Sequence, residues 1–122
     1  DAIGNSTSDT TPTVNVSTEF KIENCINGPN PFNPNIETTQ IQYQLSHDAD
    51  VSLYIYSISG ELLVNTRILS GDAGASTGFN SIIWDGRNRF DEVVANGVYI
   101  AYIIAKTNGK KAVNKVKIAV LK

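Results

Sequence analysis

Residues 79–105 constrain the fold more than any other stretch. They read FNSIIWDG over 79–86 and, after a polar connection, NGVYIAYIIA over 96–105. Each β-branched and aromatic run abuts Asp-Gly or Asn-Gly, dipeptides that supply the positive φ angles of tight turns. Trp84, the one tryptophan, ends the first run. Its ring carries so much apolar area that, in a small all-β domain, it is expected to anchor the core. The two runs are therefore expected to be central antiparallel strands of a two-sheet sandwich.

The remaining segments fit that plan. Residues 1–17 (DAIGNSTSDTTPTVNVS) are rich in Ser, Thr, Asn and Asp. With so little to bury, they read as a flexible linker or N-terminal arm, leaving a folded domain over 18–122. Asn5-Ser6-Thr7 and Asn15-Val16-Ser17 match the N-glycosylation sequon, which matters only in a secretory host. EFKIENCI (19–26) alternates as a half-buried edge strand does. NGPNPFNPN (27–35) holds three prolines within six residues, so no ladder runs through it. Its single apolar group, Phe32, is expected to plug the open end of the sandwich.

TTQIQYQL (38–45) points Ile41, Tyr43 and Leu45 inward, and VSLYIYSI (51–58) does the same with Val51, Leu53 and Ile55. In the second run Tyr54, Tyr56 and Ile58 make the other face apolar as well. Ser59-Gly60 turns the chain into ELLVNTRIL (61–69), and SGDAGASTG (70–78) reads as a mobile loop of small residues. Asn108-Gly109 is a hairpin signal between alternating runs. In the last strand, 112–121, Val116, Ile118 and Val120 face inward while Lys115 and Lys117 face out. About seven short strands and no convincing helix predict an all-β, immunoglobulin-like Greek-key β-sandwich.

Charge and chemistry narrow the function. A net charge of −2 argues against nucleic acid as partner, since phosphate binding needs a dense basic field. No apolar run approaches the roughly 20 residues of a membrane-spanning helix. With neither an initiator methionine nor a signal-peptide pattern, the chain is expected to be a processed or excised piece of a longer protein. Cys25 has no partner for a disulfide and reads as a buried, inert thiol. The single histidine, His47, lies in a turn-like SHDAD (46–50) and offers Cys25 no basic partner. No nucleophile–base–acid set and no phosphate loop appear, so neither catalysis nor a cofactor is expected.

Asp85, Asn88, Asp91 and Glu92 crowd oxygen ligands into one loop. Their spacing is not that of an EF-hand, and Arg87 and Arg89 interleave, so Asx turns and exposed ion pairs are expected rather than bound Ca²⁺. Six of the ten basic residues are Lys106, Lys110, Lys111, Lys115, Lys117 and Lys122. They either keep an edge strand from pairing with other chains or dock an acidic receptor or lipopolysaccharide phosphates. Tyr54, Tyr56, Tyr102 and Ile104 either form an exposed patch for a partner, or make a second inner face or lie under a loop.

Five motifs occur in order: NPFNP (30–34), ISGEL (58–62), WDGRN (84–88), VANGVY (94–99) and the lysine-rich closing strand. This order resembles the immunoglobulin-like C-terminal domains of bacterial secreted proteins. Those domains are related to the Ig-like domain of the flagellar hook-capping protein, and many resemble type IX secretion sorting domains. The likeness covers about 27–122. It implies a module that directs export of an upstream cargo domain to the cell surface or medium, recognised by outer-membrane secretion machinery. Carried over by position, the recognition elements are Gly97 and Tyr99 of the glycine-x-tyrosine unit, and Lys115, Val116, Lys117 and Lys122 of the closing strand. The apolar IAYII (100–104) departs from relatives that alternate with polar residues there. Two alternatives stay open: a structural spacer or self-assembling module of a surface layer, filament or hook-cap-like assembly, and a carbohydrate-binding sandwich.

Overall fold

The computed structural model describes residues 20–122. The arm read over 1–17, its two sequons and the domain start at 18 lie outside the described residues. Seven strands follow in order: β1 (Ile22–Gly28), β2 (Thr39–Leu45), β3 (Asp50–Ser57), β4 (Leu62–Ile68), β5 (Gly78–Trp84), β6 (Gly97–Thr107) and β7 (Lys110–Val120). They form two sheets, β1-β2-β5 and β4-β3-β6-β7, and all neighbouring strands are antiparallel. The chain changes sheet between β2 and β3, between β4 and β5, and again between β5 and β6. This is the immunoglobulin-like Greek-key sandwich that the alternation predicts.

The inward sets are those read from the period of two. Ile41, Tyr43 and Leu45 face Val51, Leu53, Ile55, Ala101, Ile103 and Ile118 in one buried core. Burying each larger aliphatic side chain contributes about 1.5–3 kcal/mol, which is why the alternation specifies the register so strongly.

Three expectations are corrected. The runs at 79–84 and 97–105 are not a pair of central strands. β6 is central in its sheet, but β5 lies in the other sheet and pairs only with β2. At that edge Asn80 and Trp84 are buried and Ile82 packs against the core, while Phe79 and Ile83 face out.

Second, the alternation read from 19 breaks inside β1. Glu23 pairs with Gln44 and Ile26 with Gln42, so Asn24 and Cys25 together oppose Tyr43 in a bulge, with Asn24 at φ +52°. The extra residue turns Cys25 toward the core and leaves Ile26 56% exposed.

Third, the loop 70–78 is anchored rather than free. Ala75 is fully buried, its carbonyl accepts from the Ala49 and Gly71 amides, and the Tyr43 hydroxyl donates to Gly74 O at 2.5 Å. Gly74 sits at φ +97°, where a Cβ would lie 2.8 Å from Ile68 Cδ1. Asp48 Oδ1 accepts the Thr77 amide at 2.6 Å and the Thr77 hydroxyl at 2.9 Å. These bonds hold the Asp48 carboxyl below its ordinary range.

Candidate functional site

NPFNP, WDGRN and VANGVY meet at one end of the sandwich, where the last residues of β7 join them. Trp84 is 4% exposed, and Phe32 and Tyr99 lie edge-on to it, each 5.7 Å away between ring centroids. Perpendicular rings suit the aromatic quadrupole, and such pairs contribute about 0.5–1.5 kcal/mol beyond the area they bury. The indole N–H donates to Arg87 O at 3.0 Å, so the one polar atom of the ring is satisfied within its own turn. Trp84 is the core anchor that the sequence implies, and Phe32 is the plug.

Gly86 explains why the proline loop and the Trp84 turn occur together. It sits at φ +77°, and a Cβ there would lie 2.5 Å from Pro34 Cβ and 3.2 Å from Phe32 Cζ. Only glycine permits that close approach. Val94 closes the loop from the other side by donating its amide to Gly86 O at 2.9 Å.

Tyr99 is 6% exposed and its hydroxyl donates to Ala95 O, four residues upstream, at 2.5 Å. A tyrosine at the start of an inner strand, bonded back to the preceding connection, is the tyrosine corner of immunoglobulin-like folds. Burial, assisted by the nearby Glu61 carboxylate, raises its pKa. Gly97 opens β6 opposite Val120 at φ +157°, and a Cβ there would meet nothing within 4 Å. Backbone angle rather than space therefore sets this glycine apart. Both residues build the end of the sandwich, and Tyr99 is not on its surface.

The closing strand divides by face. Val116 is half-buried and faces the core, whereas Lys115, Lys117 and Lys122 are exposed. The outer edge of β7 is not open along its whole length. Asn30 receives the Ala119 amide at 2.9 Å and donates its Nδ2 to Lys117 O at 2.9 Å. Phe32 continues the cover: its amide donates to Ala119 O, and its carbonyl accepts the Leu121 amide, both at 3.0 Å. The Lys122 amide donates to Asn96 Oδ1 at 2.9 Å. A proline loop, poor in donors, thus caps the end of an edge strand that would otherwise be free to pair with another chain. Asn30 and Asn96 were invisible to a local reading, because their partners lie 87 to 89 and 26 residues away along the chain.

The acidic loop is organised by its own backbone. Asn88 Oδ1 accepts the amides of Phe90 at 2.9 Å and Glu92 at 3.0 Å, and Asp85 Oδ1 accepts the Arg87 amide at 3.0 Å. Arg87 and Asp91 form an exposed pair at 3.9 Å, of little energetic weight. These Asx turns engage one side-chain oxygen each of Asp85 and Asn88. Among the described residues, no group of three or more His, Cys, Asp or Glu side chains is arranged to hold a metal ion.

Burial pushes the Cys25 thiol up to about 11 and, with Cys25 beside it, raises Tyr43 as well. Such a thiol stays protonated at neutral pH and is a poor nucleophile. His47 packs edge-on against Phe20 at 5.9 Å and shares a 2.9 Å hydrogen bond with Ser46. Ser46 Oγ also accepts the Lys21 amide at 3.0 Å, so it serves the turn.

No family model and no curated protein matches the chain. Solved structures do share the fold. Dimeric latent PorU from Porphyromonas gingivalis aligns at a TM-score of 0.64 with 20% identity over 80% of this chain and 9% of that one. PorZ, a surface component of the type-IX secretion system of the same bacterium, aligns at 0.53 with 22% identity over 80% of this chain and 11% of that one. FlgD from P. aeruginosa aligns at 0.61 with 15% identity, over 80% of this chain and 70% of that chain. The chain therefore spans about a tenth of the length of PorU and PorZ. Among the described residues, no helix is long and apolar enough to cross a membrane.

Proposed function

We propose that this chain is a non-catalytic sorting and anchoring module that directs an upstream cargo domain to the bacterial cell surface or medium. In this reading it acts through shape and surface charge. Gly97, Tyr99 and Val116 set the closing hairpin, and Lys115, Lys117 and Lys122 present an exposed basic strand to outer-membrane secretion machinery or a neighbouring surface protein. One observation carries the reading. Three of the five motifs that resemble sorting domains, NPFNP, WDGRN and VANGVY, converge on a single sealed end that the last residues of the closing strand complete, in a fold shared with parts of PorU and PorZ. Electrostatic attraction to an acidic receptor speeds and orients docking without needing a deep pocket.

The test fuses the whole 122-residue chain behind a reporter in a bacterium that has the type IX pathway. Export of the reporter to the surface or medium is expected, and replacing Lys115 and Lys117 with Gln reduces it without changing the melting curve. A reporter that stays in the periplasm removes the sorting role. The likeness to FlgD supports a second reading, a structural spacer in a surface assembly. That reading is favoured if mass spectrometry finds residues 18–122 still attached to the mature exported protein and the chain self-associates.

A further inference from the structure

The outer face of the β4-β3-β6-β7 sheet carries rows of side chains that run across the strands. In one row Asn65, Tyr54, Tyr102 and Lys115 stand opposite one another, and in the next Leu62, Tyr56, Ile100 and Lys117. The rings touch: Tyr54 and Tyr56 are stacked at 6.4 Å and 27°, and Tyr56 meets Tyr102 edge-on at 5.8 Å. Together with Ile100 and Ile104 they floor a shallow depression that reaches Ile58. All three rings are only half-buried, and no other element of the described chain covers them. The hydroxyls of Tyr43 and Tyr99 are bonded inside the fold to Gly74 O and Ala95 O. Those of Tyr54, Tyr56 and Tyr102 make no hydrogen bond among the described residues.

Charge is distributed on one side of this floor. Lys115 and Lys117 flank the tyrosines along β7, whereas the ion pairs among the described residues engage only Lys21, Arg67 and Arg87. The carboxylate on the same face, Asp50, is held by Arg67 at 3.3 Å and by the Ser70 amide at 2.9 Å. Among the described residues, two lysines without carboxylate partners beside three rings with free hydroxyls make an aromatic platform with a cationic margin.

We propose that this face binds an anionic polysaccharide. Its sugar rings lie on Tyr54, Tyr56 and Tyr102 and its acidic groups pair with Lys115 and Lys117. Peptide recognition by strand addition uses the main-chain groups of a sheet edge, whereas the three rings stand on the face of β3 and β6, the two central strands of this sheet. A recognised helix needs a deep apolar groove, which this flat face lacks. Among the described residues, a second copy of the chain offers no free carboxylate on the matching face to meet the lysines. A linear polyanion of hydroxylated rings answers all three features: flat apolar area, unsatisfied hydroxyls and one-sided positive charge. The inference stands apart from the sorting role, because a chain that fails to export a reporter can still bind the polysaccharide.

The test is affinity electrophoresis of the whole chain through gels containing polygalacturonate, with neutral dextran, poly-L-glutamate and oligothymidylate as comparison gels. Retardation by polygalacturonate alone is expected, weakening as salt rises. The paired substitutions Lys115→Gln with Lys117→Gln, and Tyr54→Leu with Tyr102→Leu, should each weaken it by about tenfold, typical of removing interface anchors. Leucine keeps the apolar area but removes ring and hydroxyl, and unchanged melting of the lysine pair keeps that arm independent of folding. Arg87→Gln with Arg89→Gln, in the acidic loop, should change nothing. The proposal fails if polygalacturonate does not retard the chain or if both face variants migrate like the parent. It fails equally if poly-L-glutamate retards the chain as strongly, which would indicate an acidic protein partner, or if oligothymidylate does.

Discussion

Two clusters of three aromatic rings show how the same geometry serves opposite ends. Phe32, Trp84 and Tyr99 meet at 5.7 Å at the sealed end of the sandwich, and Tyr54, Tyr56 and Tyr102 meet at 5.8 and 6.4 Å on an outer sheet face. The first cluster is buried, and both of its polar atoms donate to backbone carbonyls. The second is half-buried on the sheet face, and its hydroxyls make no hydrogen bond among the described residues. Contact between rings therefore does not by itself identify a core. What separates the clusters is whether the hydrogen-bonding groups are satisfied within the chain, because a buried polar group without a partner is costly and an exposed one is not.

Stability measurements can break or sharpen that contrast. Trp84→Ala should lower unfolding free energy by about 3–5 kcal/mol in urea titrations, the cost of emptying a well-packed aromatic site. Gly86→Ala should cost about 1–3 kcal/mol, since the new methyl meets Pro34 at a positive φ. Tyr99→Phe should cost about 1 kcal/mol, one buried hydrogen bond, and leave the ring contacts in place. Tyr102→Ala should cost only about 0.2–1 kcal/mol, the scale of a cross-strand pair. If Tyr102→Ala proved as damaging as Trp84→Ala, the outer rings would be a second core and the contrast would collapse.

The smallest effect is with pH. Hydrogen bonds from Thr77 hold Asp48, and those from Ser70 and Arg67 hold Asp50, below the ordinary carboxylate range. A group with a lowered folded pKa stabilises fully above its unfolded value of about 3.9 and loses that contribution as pH falls through the folded value. The melting temperature should therefore drop below about pH 4, and Asp48→Asn should flatten the slope.

Much of the sandwich was legible from local pattern. The period of two in 38–45 and 51–58 set which side chains face inward, and Asn108-Gly109 marked the final hairpin, because both signals are read over neighbouring residues. Partnership was not legible. That β5 pairs with β2 rather than β6 depends on which sheet each strand joins, and two edge-compatible apolar runs look alike in one dimension. The bulge at Asn24 and Cys25 was hidden because a one-residue insertion leaves the composition unchanged while reversing which side chains face the core. The loop 70–78 looked mobile because its anchors, Tyr43, Asp48 and Asn80, lie outside it.

The candidate surface divides the same way. Lysines on the outer side of the last strand followed from alternation alone, as did a second apolar face on the strand holding Tyr54 and Tyr56. Their union into one platform required the cross-strand register that sets Tyr102 between Tyr54 and Lys115.

By itself the order of residues determined an all-β chain, its inward side chains, its indole anchor and its basic last strand, since each follows from propensity and alternation along a few neighbours. Tertiary structure alone decided that Asn30 caps β7, that Gly86 seats Pro34, and that tyrosines and lysines share one face. Those facts concern residues brought together from distant parts of the chain, and hydrogen bonding and close packing act on distance in space.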